Sequence, residues 1–222
     1  MAEPTRESWM RLDDYLTDVL VGHDSALESA VAVQDAAHLP SIEVAPLNGK
    51  LLHLLARMIR ARRILEIGTL GGYSTIWMAR ALPEGGRVVT IEAEPDIAQV
   101  AQSNLLRAGV ADRVEVLVGR GEHVLPTLSG TEPFDLVFID ADKESNTLYL
   151  DWAARLGRSG GLVVVDNIGR EARVTDADTD DSQIQGVRAS LEMLRDDPRF
   201  DATALQTLDR KGWDGIALAL LA

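Results

Sequence analysis

The stretch Arg62 to Ser74, RRILEIGTLGGYS, constrains the fold more than any other part of the chain. After Arg62 and Arg63 it continues with an apolar run, Ile64, Leu65 and Ile67, which is typical of a buried strand and stops at an acidic residue and three glycines. The amphipathic stretch TIWMARAL follows, so the pattern predicts a strand, a tight turn and a helix. In an open parallel sheet such a turn lies where ligands bind, and glycines let the backbone approach them closely.

The order of the glycines narrows the choice of ligand. A dinucleotide-binding turn requires G-x-G-x-x-G, whereas here Gly68 is followed by Gly71 and Gly72 and the second glycine of that motif is missing. A pyrophosphate-cradling loop is therefore disfavoured. Glu66, Gly68 and Gly72 instead resemble the E-x-G-x-x-x-G turn of S-adenosylmethionine-dependent methyltransferases, whose cofactor has no phosphate and carries positive charge. A turn whose glycines serve packing alone remains an alternative.

Composition limits the class of protein and the partners. With 222 residues and 46% hydrophobic content the chain can form one core, so we expect a single domain over residues 1–222. The net charge of −13 repels a phosphate backbone, which argues against nucleic acid as a partner. The chain has no cysteine, no long apolar run and no basic-then-apolar start, so we expect a cytoplasmic protein without a membrane span.

The order of elements predicts an α/β protein. Residues 1–60 read as an N-terminal helical cap, and residues 61–222 as a core in which strands and helices alternate. The predicted parallel strands are 62–68, 86–92, 113–118, 134–140 and 161–166, and the helices between and after them are 72–81, 95–108, 121–128, 144–157 and 180–197. Strands 200–207 and 215–221, joined by a short turn containing residues 211–214, must be antiparallel. This arrangement is similar to the class I methyltransferase fold, a Rossmann-like seven-stranded sheet with helices on both faces.

Two residues at predicted strand ends are candidate cofactor contacts. Glu92 closes the second strand twenty residues after Gly72, a spacing at which an acid accepts hydrogen bonds from a cofactor ribose. It is also compatible with an acid at the start of the next helix. Gly121 follows the third strand, where its backbone could pass an adenine closely or form an ordinary turn.

The fourth and fifth strands each end on an acid, in FIDADK and VVVDN. In the strand order 3-2-1-4-5 these strands are neighbours, so Asp140, Asp166 and Asn167 could converge at one rim of the sheet. Two carboxylates and an amide carbonyl are hard oxygen ligands suited to Mg²⁺ or a similar cation. An isolated acid at a strand end can also be only a helix cap.

The segments LEIGTLGGYS, IEAEP, FIDADK and VVVDN, in this order and spacing, resemble the cation-dependent O-methyltransferase family that contains catechol and caffeoyl-coenzyme A O-methyltransferases. The resemblance covers about residues 40–222. It implies a divalent cation (Mg²⁺, Mn²⁺ or Ca²⁺) on Asp140, Asp166 and Asn167, with Lys143 as general base and Asp140 beside it in catalysis. The cofactor contacts it implies are Glu66, Gly68, Thr69, Gly72, Tyr73, Ser74, Glu92, Ala93, Gly121 and Asp140. After the DN pair many members continue with tryptophan and glycine, whereas this chain has IGREARV, so the wall facing the acceptor departs from the family.

The resemblance implies transfer of a methyl group from S-adenosylmethionine to a hydroxyl of a small vicinal dihydroxy aromatic molecule. A phenolic hydroxyl has a pKa of about 10, so it needs a cation or a base before it can act as a nucleophile at neutral pH. Two other classes remain open: an NAD(P)-dependent oxidoreductase on a Rossmann sheet, and a non-catalytic cofactor-binding protein. The cap helices carry more apolar positions than one sheet needs, so we also expect a homodimer.

Overall fold

The computed structural model of the protein describes residues 5–222, so residues 1–4 of the expected helical cap lie outside the described residues. The α-helices are α1 Arg6–Leu20, α2 Ser25–Ala36, α3 Pro46–Met58, α4 Tyr73–Ala81, α5 Pro95–Arg107, α6 Gly121–Val124, α7 Asn146–Leu156 and α8 Ser182–Asp196. The strands are β1 Arg63–Ile67, β2 Arg87–Glu92, β3 Val114–Val118, β4 Phe134–Ile139, β5 Gly157–Asp166, β6 Phe200–Asp209 and β7 Gly212–Leu221.

The strands form one seven-stranded sheet in the order β3-β2-β1-β4-β5-β7-β6. Strands β1 to β5 are parallel, whereas β7 is antiparallel to both β5 and β6. This confirms the predicted class I methyltransferase fold. The consequence for function is that β1 and β4 are neighbours and β4 and β5 are neighbours, so the residues following these three strands emerge at one rim of the sheet.

Alternating side chains of the central strands divide the core into two layers. Leu65, Ile67 and Val137 pack on one face with α7 and α8, whereas Ile64 and Phe138 pack on the other face with α2, α3, α4 and α5. Successive residues of a strand point to opposite faces, and both faces here are covered by helices. That explains why the strand sequences read as unbroken apolar runs.

Several helices begin where the local sequence specifies. Asp24 caps α2 by accepting hydrogen bonds from the backbone N–H groups of Ala26 and Leu27, both at 3.1 Å. Pro46 begins α3, where its missing N–H costs no hydrogen bond. Residues 37–45 form the loop that connects α2 to α3.

Three predicted boundaries need correction. β5 begins at Gly157 rather than at residue 161, because Gly157 pairs with Phe134 of β4 across an irregular register that no apolar pattern announces. The predicted helix 121–128 becomes a 3₁₀ turn from Leu125, since Pro126 has no N–H with which to continue an α-helix. Residues 211–214 are not the predicted turn: Asp209 pairs with Gly212, so Arg210 and Lys211 alone connect β6 to β7.

Among the helices of residues 5–222, none has the length and apolar character needed to cross a membrane.

Candidate active site

The turn after β1 is held tightly against β4. Gly68 has a φ of +98°, and a Cβ at this position would lie 2.0 Å from the backbone oxygen of Asp140. The Asp140 N–H donates to the Ile67 oxygen at 2.9 Å, and the Gly68 N–H donates to the Ile91 oxygen at 3.0 Å. Only glycine fits such a close approach at a positive φ, so the glycine brings the ends of β1, β2 and β4 into contact.

Glu66 lies beneath this turn and is fully buried. Its carboxyl accepts hydrogen bonds from the hydroxyls of Ser74 at 2.5 Å and Thr90 at 2.7 Å, and from that of Thr75. Burial raises the pKa of Glu66 to about 7, although the three hydroxyls act in the opposite direction. Glu66 therefore joins β1 to α4 and β2 from below and does not line the cavity above the turn.

Glu92 connects the turn to the end of β2. Its Oε2 accepts the Leu70 N–H at 2.9 Å and its Oε1 accepts the Glu94 N–H at 3.1 Å. Each carboxylate oxygen has a second lone pair, and the side chain lines the cavity. The backbone contacts thus fix its orientation and leave it able to accept hydrogen bonds from a diol such as a ribose.

A cavity of about 880 Å³ opens above the turn. Of the predicted cofactor contacts, those in its lining are Gly68, Thr69, Tyr73, Ser74, Glu92, Ala93, Gly121 and Asp140. Gly72 is absent from the lining, as is Glu66; Gly72 has a φ of +81° and lets α4 begin directly after the turn. The structure therefore gathers most of the predicted set around one space large enough for a nucleoside-sized ligand.

Sequence reasoning missed part of the lining. Residues 41–44 of the loop before α3, Tyr149 of α7 and Lys211 of the β6–β7 connection also face the large cavity. No motif marks them, because each reaches the site through tertiary packing from a distant part of the chain. A Cβ on Gly121 would lie 2.6 Å from the Tyr149 ring, so this glycine serves the packing of α7 as well as the cavity.

The residues predicted to bind a cation lie together beside this cavity. Asp140 and Asn167 line it, while Asp166 and Asn167 line an adjoining cavity of about 330 Å³. Burial, and then the nearby charge of Asp140, raise the pKa of Asp166 to about 7. Asn167 has a φ of +58°, which asparagine tolerates better than most residues, and its N–H donates to Asp166 Oδ1 at 2.8 Å.

This donor set fits a hard divalent cation. Two carboxylates close enough to disfavour each other's charge, with an amide oxygen available beside them, would be stabilised by a positive ion. Within residues 5–222 no group of three or more His, Cys, Asp or Glu side chains is placed to hold a metal, so an ion here would depend on the amide of Asn167 and on water or substrate oxygens.

Lys143 completes the rim. Its side chain is buried, and Nζ donates to Asp140 Oδ1 at 2.9 Å. The Lys143 backbone packs closely against Gly186 of α8, where a Cβ would lie 2.2 Å from the Lys143 oxygen. The ammonium group is thus held at the carboxylate that is also a candidate metal ligand, facing the large cavity.

The segment after Asn167 is fixed by Asp214 of β7. Asp214 Oδ1 accepts the N–H groups of Gly169 at 2.7 Å and Arg170 at 2.9 Å. Arg170, Glu171 and Ala172 then adopt φ values of +49°, +55° and +63°. This is the segment whose sequence departs from the resembling family, and it forms one wall of the smaller cavity.

The strand order, the glycine turn and the acid after β2 define the class of protein, an S-adenosylmethionine-dependent methyltransferase. The chain belongs to the O-methyltransferase family, whose model matches residues 21–220. It is 56% identical over 210 residues to a catechol O-methyltransferase of Mycobacterium tuberculosis, covering 95% of this chain and 94% of that protein. It is 46% identical over 212 residues to a catechol O-methyltransferase of Niastella koreensis, covering 95% and 96%.

A solved structure agrees with this assignment. The O-methyltransferase TomG of Streptomyces achromogenes, solved in complex with SAM, superimposes with a TM-score of 0.95 at 50% identity, and all of both chains is covered. The predicted family and cofactor class are therefore confirmed: the protein is an S-adenosylmethionine-dependent O-methyltransferase. The oxidoreductase and the non-catalytic alternatives are excluded.

Proposed function

We propose that this enzyme methylates one hydroxyl of a vicinal dihydroxy aromatic molecule with the help of a divalent cation. The observation that carries the proposal is the placement of Asp140, Lys143, Asp166 and Asn167 on one rim, where the large cavity meets the smaller one. The two catechol O-methyltransferase relatives, at 56% and 46% identity, support the choice of acceptor.

S-adenosylmethionine provides a methyl group on a positively charged sulfur, and we assign its binding to the large cavity. Glu92 would accept hydrogen bonds from the ribose hydroxyls, because its orientation is already fixed by two backbone N–H groups. Gly68 and Thr69 let the backbone pass close to the cofactor, with Tyr73 and Ser74 at the start of α4 beside it. Glu66 supports this turn from below rather than from within the cavity.

Asp140, Asp166 and Asn167 would hold the cation, with the acceptor in the smaller cavity. The cation, when bound, would stabilise the ionised hydroxyl of the acceptor. Lys143 is the candidate base: its Nζ lies at Asp140, and after it has given one proton to solvent it can accept the proton of the hydroxyl that is methylated. The rim also holds that oxygen close to the cofactor cavity, and positioning of this kind accounts for much of the rate of a two-substrate reaction.

The test is methyl transfer from labelled cofactor to catechol, to phenol and to 1,3-dihydroxybenzene, with and without a chelator. We expect transfer to catechol alone, loss of activity on chelation and its return with Mg²⁺ or another divalent cation. Full turnover by chelator-treated enzyme would contradict the cation's role.

Asp140→Ala should abolish the response to added cation while the affinity for S-adenosylmethionine, measured by calorimetry, changes little. The reason is that most cofactor contacts come from the turn after β1 and from Glu92, which belong to other strands. A variant that loses cofactor affinity and keeps its cation response would place Asp140 in the cofactor site instead.

A further inference from the structure

The basic side chains that line the two cavities differ in how their charge is compensated. Lys143 pairs with Asp140, Lys211 with Glu43, Arg120 with Glu122 and Arg173 with Asp181. Across residues 5–222, Arg170 has no carboxylate within ion-pair distance. Its guanidinium donates to the amide oxygen of Gln183 at 3.0 Å, and its Nε is buried without a hydrogen-bond partner. An arginine without a carboxylate partner can still bind an anion such as a carboxylate, donating two N–H groups to its two oxygens.

Arg170 lies beside the cavity in which we place the acceptor, so an anion bound to it would be part of the acceptor. It is part of the lining of both cavities, and it follows the candidate ligand Asn167 by three residues, a separation of at most about 10 Å along the backbone. A benzene ring that carries two adjacent hydroxyls at one end and a carboxylate at the other spans a comparable distance.

The smaller cavity offers an aromatic ring two large apolar side chains in an otherwise mostly polar lining. Ile42 and Trp213 provide apolar surface in its lining, and the Trp213 Nε1 donates to Gln206 outside that lining. Several acidic groups of the lining already have partners: Glu43 pairs with Lys211, Asp209 accepts the Lys211 N–H, and Asp214 accepts backbone N–H groups, whereas Glu171 has no such partner within residues 5–222. Among the basic residues of the smaller cavity, Arg170 is the one without an ion pair in the described chain, since Arg173 and Lys211 are both paired.

The backbone fixes the position of this side chain. Asp214 holds the N–H of Arg170, and the residue has a φ of +49°, a conformation that residues other than glycine adopt uncommonly. A segment tied in this way presents its side chain from a defined point, which is what discrimination between acceptors requires.

We propose that Arg170 binds an anionic substituent of the acceptor, so that the preferred acceptors are catechols carrying a carboxylate on the ring or on a short side chain. The proposal rests on the proposed function, because it names the substrate class of the same site. Arg170 is then a specificity-determining residue, whereas Asp140, Lys143, Asp166 and Asn167 act at the hydroxyl that is methylated.

The test compares 3,4-dihydroxybenzoate with its methyl ester, which has the same hydroxyls and no charge. Arg170→Gln should lower the ratio of kcat/KM for the acid to kcat/KM for the ester by about 10- to 100-fold, the loss expected for a hydrogen bond to a charged group. Arg170→Lys should recover part of that ratio. Arg173→Gln is the matched control, since Arg173 also lines the smaller cavity but is paired with Asp181, and it should leave the ratio within about twofold of the wild type.

Equilibrium binding gives a second reading without turnover. Arg170→Gln should weaken binding of 3,4-dimethoxybenzoate, which has no free hydroxyl, and leave binding of its methyl ester unchanged. Equal losses for acid and ester, or the same selective loss in Arg173→Gln, would overturn the role of Arg170 while the proposed function stands. A wild-type enzyme that methylates neither diol would instead refute the proposed function.

Discussion

Glu66 is the residue at which the fold and the site depend most closely on one ionisable group. Its carboxyl is fully buried and accepts hydrogen bonds from three hydroxyls, and burial raises its pKa to about 7 against an ordinary value of 4.5. The protonated form is therefore favoured in the folded state. The contribution of Glu66 to stability is complete when the pH is below its pKa in the unfolded chain, and it is lost as the pH rises through its pKa in the folded protein.

Replacing Glu66 with Gln should remove this pH dependence. Between pH 4.5 and about 8 the unfolding free energy of the wild type should fall relative to that of Glu66→Gln, by up to about 3 kcal/mol for a shift of this size. The measurement is urea unfolding of both proteins across that range. Parallel pH profiles would mean that Glu66 has no raised pKa in the folded state.

A second prediction at this scale tests whether Lys143 acts as the general base. Lys143→Ala should retain cofactor and cation affinity while kcat for catechol falls by about 10²- to 10⁴-fold, the usual contribution of a positioned proton acceptor. Lys143→Met controls for the lost volume of a buried side chain. The loss should be smaller for nitrocatechols, whose hydroxyl is already acidic. Equal slowing of acidic and ordinary catechols would leave Lys143 with a positioning role only.

At the scale of elements, the loop 37–45, of which residues 41–44 line the large cavity, is held by side chains from α2 and from the β6–β7 connection. Lys211 of the β6–β7 connection donates to the Glu43 carboxylate at 2.9 Å and to the Glu43 backbone oxygen. Gln34 of α2 donates to Glu43 at 2.7 Å and to the Pro40 oxygen at 2.9 Å. The contacts between Lys211 and Glu43 join residues that are 168 positions apart in the chain.

Replacing Lys211 should make the loop 37–45 more mobile beside the large cavity. In Lys211→Ala we expect faster dissociation of S-adenosylmethionine, by about 2- to 10-fold, since a partly exposed ion pair contributes at most about 1 kcal/mol and a backbone hydrogen bond a similar amount. Stopped-flow displacement measures this rate. Lys50→Ala on α3 is the control, because Lys50 lies over the Trp77 ring and does not line the cavity. Identical rates in both variants would show that the loop does not limit cofactor release.

At the scale of the whole molecule, α1 leaves an apolar stripe exposed. Leu12, Tyr15, Val19 and Leu20 are each more than half exposed, although their spacing places them on one side of the helix. From the sequence we expect the cap helices to carry more apolar positions than the sheet needs, and within the described chain this stripe is left uncovered. We propose that a second copy of the chain covers it.

The corresponding prediction is a homodimer that depends on this stripe. Light scattering at micromolar concentration should give twice the mass of 24.1 kDa for the wild type, and Val19→Asp should shift the mass to that of one chain. Leu106→Asp on α5, at a residue that is 72% exposed, is the control and should leave the mass unchanged. A monomeric wild type would contradict the proposal.

The sequence by itself determined the layout of this protein, because layout depends on local patterns. Apolar runs ending on Glu92, Asp140 and Asp166, with helical stretches between them, suffice for a mainly parallel sheet covered by helices, and the resemblance to the class I methyltransferase fold supplied the strand order that brings the candidate residues to one rim. The tight turn at Gly68 could be predicted for the same reason, because the backbone conformation of such a turn favours glycine over other residues.

The tertiary structure alone decided how these residues are used. Glu66 carries the signature of a cofactor contact, yet the packing of α4 and β2 turns its carboxyl inward to three hydroxyls. Lys211 and Arg170 have no motif, and they reach the cavities because β7 closes the sheet antiparallel beside β5. Such contacts join residues far apart in the chain, and their geometry depends on the summed packing of the whole core, which no local pattern encodes.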